Sequence, residues 1–152
     1  MSTINCNIDN ILLQLSWKCP QSKQEEGISL ARNVYCLKAF FQPIGINFGK
    51  DIWENCARII SERSDEELEP YIRDMLLWLE DLNWPGAECI LDRLIRFEKV
   101  DVLARNIDTW VPALQKLEEW AWLSFLAELL KNRNLVDTLE PEVLRALQNY
   151  RN

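Results

Sequence analysis

The chain has 152 residues, and its 17 Lys and Arg against 24 Asp and Glu give a formal net charge of −7 at pH 7. This sign argues against a nucleic-acid binder, which needs a basic face to neutralise phosphates, and against docking on an anionic membrane. Histidine is absent, which excludes Ser-His-Asp and Cys-His nucleophile pairs and His-ligated metals. We therefore expect no nucleic-acid or membrane partner and no cofactor.

The negative charge is concentrated in one stretch of the sequence. Residues 64–98 hold 10 acidic and 3 basic side chains, whereas residues 1–63 carry a net charge of +1 and residues 99–152 a net charge of −1. A chain of this length can bury a core, and 48% of its residues are hydrophobic, including 7 Trp. We expect a single helical domain over residues 1–152 with an acidic middle.

The five cysteines are scattered and form no Cys-x-x-Cys pair. An odd, scattered set without a secretory signal is typical of reduced thiols in a cytosol. The first residues show no basic region followed by an apolar one, and no apolar run approaches the roughly 20 residues that span a bilayer. We expect a cytoplasmic protein.

Apolar residues recur with helical spacing along almost the whole chain. The predicted helices, in chain order, cover residues 8–15, 24–41, 51–62, 71–82, 85–97, 100–117, 118–131 and 141–150, with a loop at 43–49 and a turn at 132–134. No alternating run with hairpin turns predicts a strand. The pattern predicts an all-α fold of about seven to nine antiparallel helices, arranged either as a bundle or as a HEAT-like α-solenoid.

Local signals place several helix ends. Ser64 to Glu67 matches a capping box, in which the serine hydroxyl and the glutamate carboxylate each bind a free backbone amide. Pro70 then either kinks that helix or starts a new one. Pro85 fits the first turn of the next helix, and Pro112 predicts a kink or break in residues 100–117.

Three features of the sequence have a functional and a structural interpretation. The segment Gly45 to Lys50 is similar to a phosphate loop, but its glycine spacing is too short and no strand precedes it, so a simple loop is favoured. Cys56 lies in an apolar stripe and predicts a core thiol, whereas Cys89 falls on a polar face and is a candidate reactive thiol. Trp120 lies at the edge of an apolar arc, and a buried edge is favoured over a ligand platform.

The acidic stretch is the main candidate site. Carboxylates opposite the apolar stripes usually form a solvated face, and acid/base or metal chemistry would need them to converge in a cleft. On a helical wheel of residues 71–82, however, Leu77 lies among Arg73, Asp74, Glu80 and Asp81, which is typical of a contact patch for a basic partner. Packing of Leu77 on a neighbouring helix is the alternative. The candidate partner-binding residues are Glu66, Asp74, Leu77, Glu80, Asp81, Glu88 and Asp92.

The stretch Trp78-Leu79-Glu80-Asp81-Leu82-Asn83-Trp84-Pro85 resembles the W-L-x-D-x-N-W-P signature of a small all-helical bacterial family of unknown function. Members of that family are described as HEAT-like and are regarded as immunity proteins beside polymorphic and contact-dependent toxins. The resemblance extends over residues 51–97. No catalytic residue belongs to the signature, and we interpret it as a helix–turn–helix connection in which Asp81 or Asn83 caps the next helix.

The resemblance implies an immunity protein that binds a cognate toxin domain and neutralises this toxin without catalysis. A basic nuclease is one class of toxin that would suit its acidic charge. Complementary charge would speed that encounter. A helical scaffold or adaptor for a housekeeping partner is the alternative. An enzyme that uses Lys, Asp or Cys89 is the third hypothesis, and the absence of histidine and of a glycine-rich phosphate loop makes it the least favoured.

Overall fold

The computed structural model describes residues 8–44 and 48–151, with the backbone alone at residue 44. The α-helices are α1 (Ile8–Gln14), α2 (Gln21–Ala31), α3 (Trp53–Ser61), α4 (Asp65–Leu68), α5 (Ile72–Trp78), α6 (Ala87–Ile95), α7 (Val100–Lys116), α8 (Trp120–Leu126), α9 (Arg133–Thr138) and α10 (Pro141–Tyr150). Short 3-10 turns cover Leu37–Phe40, Gln42–Ile44, Lys50–Ile52, Glu69–Tyr71 and Ala127–Lys131. No strand occurs among these residues, so the all-α prediction is confirmed.

Several helix ends follow from local chemistry. The predicted capping box is confirmed at the start of α4, where the Glu67 N–H donates to Ser64 Oγ and the Ser64 N–H donates to Glu67 Oε1. Pro70 lies in a 3-10 turn between α4 and α5. Such a turn accommodates proline because the first residues of a helix need no intrahelical N–H donor.

Other predicted bounds were wrong. Helix α2 ends at Ala31, ten residues before the expected end, and the 3-10 turn Leu37–Phe40 lies where its second half was expected. Helix α5 ends at Trp78, four residues early, because the Leu79 N–H bonds back to the Leu76 carbonyl and closes a tighter turn. Helix α7 runs unbroken from Val100 to Lys116 with Pro112 inside it.

The expected turn at residues 132–134 instead begins a helix. Asn132 caps α9 by accepting the Leu135 N–H, and its own amide group donates to the carbonyls of Leu94 and Phe97 at 3.0 and 2.9 Å. This buried side chain therefore holds the end of α6 against the start of α9. Short-range propensity alone does not distinguish such a cap from a turn, because asparagine favours both.

One hydrophobic cluster runs from Ile11 to Leu147 and joins the described helices. Helix α3 packs mainly against α6. Cys56 of α3 is 0% exposed, so the prediction of a core thiol is confirmed. No helix in the two described ranges is long and apolar enough to cross a membrane. The HEAT-like stacking of the helices stays a prediction.

The connection between α5 and α6 is built from tryptophan. Trp78 and Trp84 each pack edge-on against Trp53, with ring centroids 6.1 and 5.6 Å apart, and the Trp78 indole donates to the Pro85 carbonyl at 3.0 Å. This arrangement locks the turn at residues 79–86 onto α3. The surface carboxylates of the turn are therefore held on a rigid support.

The capping prediction for this turn was wrong. Gly86, with φ 85°, is the residue that precedes α6, and its N–H donates to the Glu54 carboxylate of α3 at 2.9 Å. Asp81 instead accepts the N–H of Asn83 within the turn at 2.8 Å. The backbone N–H of the residue that precedes α6 is thus bound by a carboxylate 32 positions away in the sequence.

Candidate partner-binding surface

Ion pairs neutralise part of the acidic stretch. Glu66 pairs with Lys99 and Asp92 pairs with Arg96, both at 3.0 Å and with exposed side chains. The hydrogen bond from Lys99 lowers the pKa of the Glu66 carboxyl. These two candidate residues therefore carry their own cations, and exposed pairs of this kind contribute little to stability.

Asp65 departs from the prediction that all acids of the stretch point to solvent. Its side chain is 15% exposed, and it accepts a hydrogen bond from Arg93 at 2.7 Å. The backbone N–H groups of Glu98 and Lys99 donate to its other oxygen at 2.8 and 3.2 Å. Burial disfavours the charged carboxylate, but these hydrogen bonds outweigh burial and lower the pKa of Asp65.

The remaining candidate acids, Asp74, Glu80, Asp81 and Glu88, form no ion pair within the described ranges. Asp74 is half-buried, and burial raises its pKa although Lys38 and Arg73 act in the opposite direction. Glu80 and Asp81 lie on the turn between α5 and α6, and Glu88 lies in the first turn of α6. We call these three residues the acidic turn.

The helical wheel that grouped the candidates was wrong for two of them. Because α5 ends at Trp78, Glu80 and Asp81 leave the helix and lie on the turn that follows it. Leu77 is half-buried, so part of it packs inward and part stays at the surface beside Asp74. Neither interpretation of Leu77 describes it fully.

A groove that the sequence did not predict lies beside the acidic turn. It has a volume of about 370 Å³. We call it the Phe125 groove, and its walls are Leu82, Glu88, Leu91, Ser124, Phe125, Glu128, Lys131 and Tyr150. Its acid Glu128 is paired with Lys131 at 3.0 Å, whereas Glu88 has no such cation within the described ranges. The groove thus joins apolar walls to one end of the acidic turn.

One exposed aromatic side chain, that of Trp120, extends the end of the groove near Tyr150. Trp120 is 49% exposed, so its predicted burial was wrong, and its ring lies 5.9 Å from that of Tyr150. Aromatic side chains at an accessible edge are enriched in protein interfaces.

Two further cavities involve candidate residues. An open cavity of about 460 Å³ lies between residues 61–66 and 93–99 and contains both Asp65 and Glu66. A smaller one of about 300 Å³ contains Glu66 beside Tyr35, which is 98% exposed. The first is lined almost entirely by charged side chains, and Asp65 and Glu66 are paired with Arg93 and Lys99 of the same lining.

The other expected sites gain no chemistry from the structure. Burial raises the pKa of the Cys89 thiol, which disfavours the reactive thiolate. Burial likewise raises the pKa of Cys56. No group of three or more Cys, Asp or Glu side chains in the two described ranges could hold a metal ion. Residues 45–47 of the loop considered for phosphate binding lie outside the described residues.

Sequence reasoning missed the Phe125 groove because its walls come from four separate parts of the chain. The helical spacing of apolar residues in 85–97 predicts a buried stripe that includes Leu91, whereas its half exposure follows only from the packing of the helices. Of the candidate partner-binding residues named from the sequence, Glu88 is the one that lines this groove.

Comparison with known proteins gives one match. A family model described as a domain of unknown function (DUF5071) matches residues 54–149. That range contains helices α4 to α9, nearly all of α10, the acidic turn and every wall residue of the Phe125 groove except Tyr150. No curated protein and no solved structure matches the chain.

Proposed function

The chain belongs to the family of the domain of unknown function DUF5071, and from the features of its surface we propose that it is an immunity protein that binds a cognate toxin domain. It would neutralise that domain by covering its active site or an essential contact surface, without catalysis. The resemblance of residues 78–85 to the signature of presumed immunity proteins supports this proposal. A HEAT-like stacking of the helices, which presents an extended surface, belongs to the same proposal.

The observation that carries the proposal is the acidic turn. Its carboxylates at Glu80, Asp81 and Glu88 have no cationic partner within the described ranges. They stand on a turn that three tryptophans hold rigidly against α3. A rigid negative surface loses little conformational entropy when a basic partner docks, and it attracts that partner over several ångströms.

Electrostatic steering makes a definite prediction for kinetics. Complementary charge mainly raises the association rate constant, whereas buried apolar contacts mainly lower the dissociation rate constant. The acidic turn should therefore control the rate at which the toxin domain binds. That rate should fall as ionic strength rises, because salt screens exposed charges beyond about 10 Å at 0.1 M.

The test is co-expression of the full chain with the toxin domain encoded beside its gene. We expect a complex that co-purifies and cells that resume growth. The double variant Glu80→Lys and Glu88→Lys should lower the association rate constant at least about tenfold at low salt. The matched control is Asp101→Lys with Glu142→Lys, since both residues are exposed and lie in first turns of helices.

Two results would contradict the immunity function, and a third would contradict its assigned surface. If the pair fails to bind and growth is not rescued, the chain is not the immunity protein of that toxin. If instead a stoichiometric complex with a housekeeping protein of the host forms with the purified chain, the adaptor function is correct. Equal association rates for the two double variants would remove the acidic turn from the binding site.

A further inference from the structure

The Phe125 groove and the acidic turn meet at two residues. Glu88 belongs to both, and Leu82 lies on the connection between α5 and α6 and lines the groove. A partner that approaches the carboxylates therefore also faces the apolar walls. The two features form one continuous surface.

The walls of the groove offer apolar contact without being part of the fully buried core. Leu82, Leu91, Phe125 and Tyr150 are each half-buried. Trp120 continues the apolar surface past Tyr150, with 49% exposure and its ring 5.9 Å from that of Tyr150. Partly exposed aromatic and aliphatic walls around a pocket are typical of sites that receive an anchoring side chain.

Charge selects the partner for this groove. The charged residues of the groove walls are Glu88, Glu128 and Lys131. Because Lys131 pairs with Glu128 at 3.0 Å, the negative charge of Glu88 is the one left uncompensated within the walls. With Glu80 and Asp81 close by in sequence on the adjoining turn, an acidic segment would be repelled and a basic one attracted. A second copy of this chain would bring another net charge of −7, which opposes self-association through the same surface.

We propose that the Phe125 groove receives an apolar anchor residue of a partner protein, and that Glu88 pairs with a Lys or Arg beside that anchor. This inference rests on the proposed function and identifies the part of the toxin domain that would be recognised: a basic segment with one aliphatic or aromatic side chain. The anchor fills the space between Leu91 and Phe125. The basic residue lies over Glu88.

The probe is a displayed library of random 12-residue peptides, selected on the full-length chain. We expect the enriched peptides to combine an aliphatic or aromatic residue with neighbouring Lys or Arg. Synthetic copies should bind at least about tenfold more weakly to Phe125→Ala, which shortens a wall of the groove. Glu88→Lys should weaken them by a similar factor, and Glu142→Lys should not. Glu142 is the matched control, because it also lies in the first turn of a helix and is about 12 Å along α10 from Tyr150 at 1.5 Å per residue.

Thermal unfolding separates a binding loss from a folding loss. The Glu88 side chain is exposed and forms no ion pair in the described ranges, so Glu88→Lys should keep the melting temperature even where Phe125→Ala lowers it. The proposal is overturned if the selected peptides lack basic residues, if no peptide is enriched, or if binding survives both substitutions. It is also overturned if sedimentation shows a dimer of the chain that Phe125→Ala dissociates.

The same variants distinguish this inference from the proposed function. In the complex with the toxin domain, Phe125→Ala should raise the dissociation rate constant at least about tenfold and leave association nearly unchanged. A tight toxin complex that is insensitive to Phe125→Ala contradicts the groove and leaves the immunity function standing. Selected basic peptides that bind the groove, with no toxin complex, contradict the immunity function and support the groove.

Discussion

Arg93 of α6 donates to Asp65 of α4 at 2.7 Å, and both side chains are largely buried. The same guanidinium group also donates to the Arg63 carbonyl at 2.9 Å and lies 5.2 Å over the Phe97 ring. Asp65 in turn accepts two backbone N–H groups at the start of α7. This pair therefore joins the beginnings of α4 and α7 to the end of α6.

Asp65→Asn should destabilise the protein by about 2–4 kcal/mol at pH 7, because Arg93 would lose its charged partner while remaining buried. The pKa of Asp65 is lowered in the folded state, so its stabilising effect is present above the ordinary carboxyl pKa of about 4. That effect is lost as the pH falls through the folded-state pKa. Urea unfolding of both proteins at pH 7 and pH 3 measures this, and the difference should shrink at pH 3. A difference that is the same at both pH values would contradict the assigned role.

Gly86→Ala should lower the stability of the protein by at least about 2 kcal/mol, because a side chain is strained at φ 85° and has no space. A Cβ atom there would lie 2.7 Å from the Ala57 Cβ and 2.8 Å from the Trp53 carbonyl oxygen. Chemical unfolding measures the loss. Gly86→Asn is the comparison, since asparagine tolerates positive φ better than alanine. Full stability of the asparagine variant would show that the backbone angle alone matters and that the close contacts do not.

Asn132→Ala should cost about 2–4 kcal/mol, because it removes the cap of α9 and leaves the carbonyls of Leu94 and Phe97 without their buried donor. Asn132→Asp keeps the acceptor that caps the helix but loses the amide donor. Hydrogen exchange of the Leu135 amide separates the two functions. It should be faster in the alanine variant and stay slow in the aspartate variant under conditions where both are folded. Equal exchange rates in both variants would exclude the capping role.

The cysteines should react with iodoacetamide in an order set by burial. Cys36 is exposed, Cys89 is half-buried and Cys56 is fully buried. Burial also raises the pKa of Cys89 and of Cys56, which reduces their thiolate fraction at neutral pH. Peptide mapping over time should find Cys36 alkylated first and Cys56 only after unfolding. Rapid modification of Cys89 in the native protein would contradict this order and support the interpretation of Cys89 as a reactive thiol.

Local patterns determined the parts of the fold that depend on neighbours in the sequence. The capping box at Ser64 and Glu67 is confirmed because both of its hydrogen bonds join residues three positions apart. The apolar stripe around Cys56 is confirmed because an amphipathic helix buries its apolar face against the core. The all-α class follows from the same periodicity repeated along the chain.

Long-range contacts decided which acidic side chains stay available to a partner. The sequence placed ten acids in residues 64–98, but Asp65 and Glu66 are bound by Arg93 and Lys99, 28 and 33 positions away along the chain. Among the described residues, Glu88 has no cationic partner, and it borders a groove whose other walls lie as far along the chain as Tyr150. Composition therefore fixed the total charge, whereas only packing of distant helices decided where that charge remains on the surface.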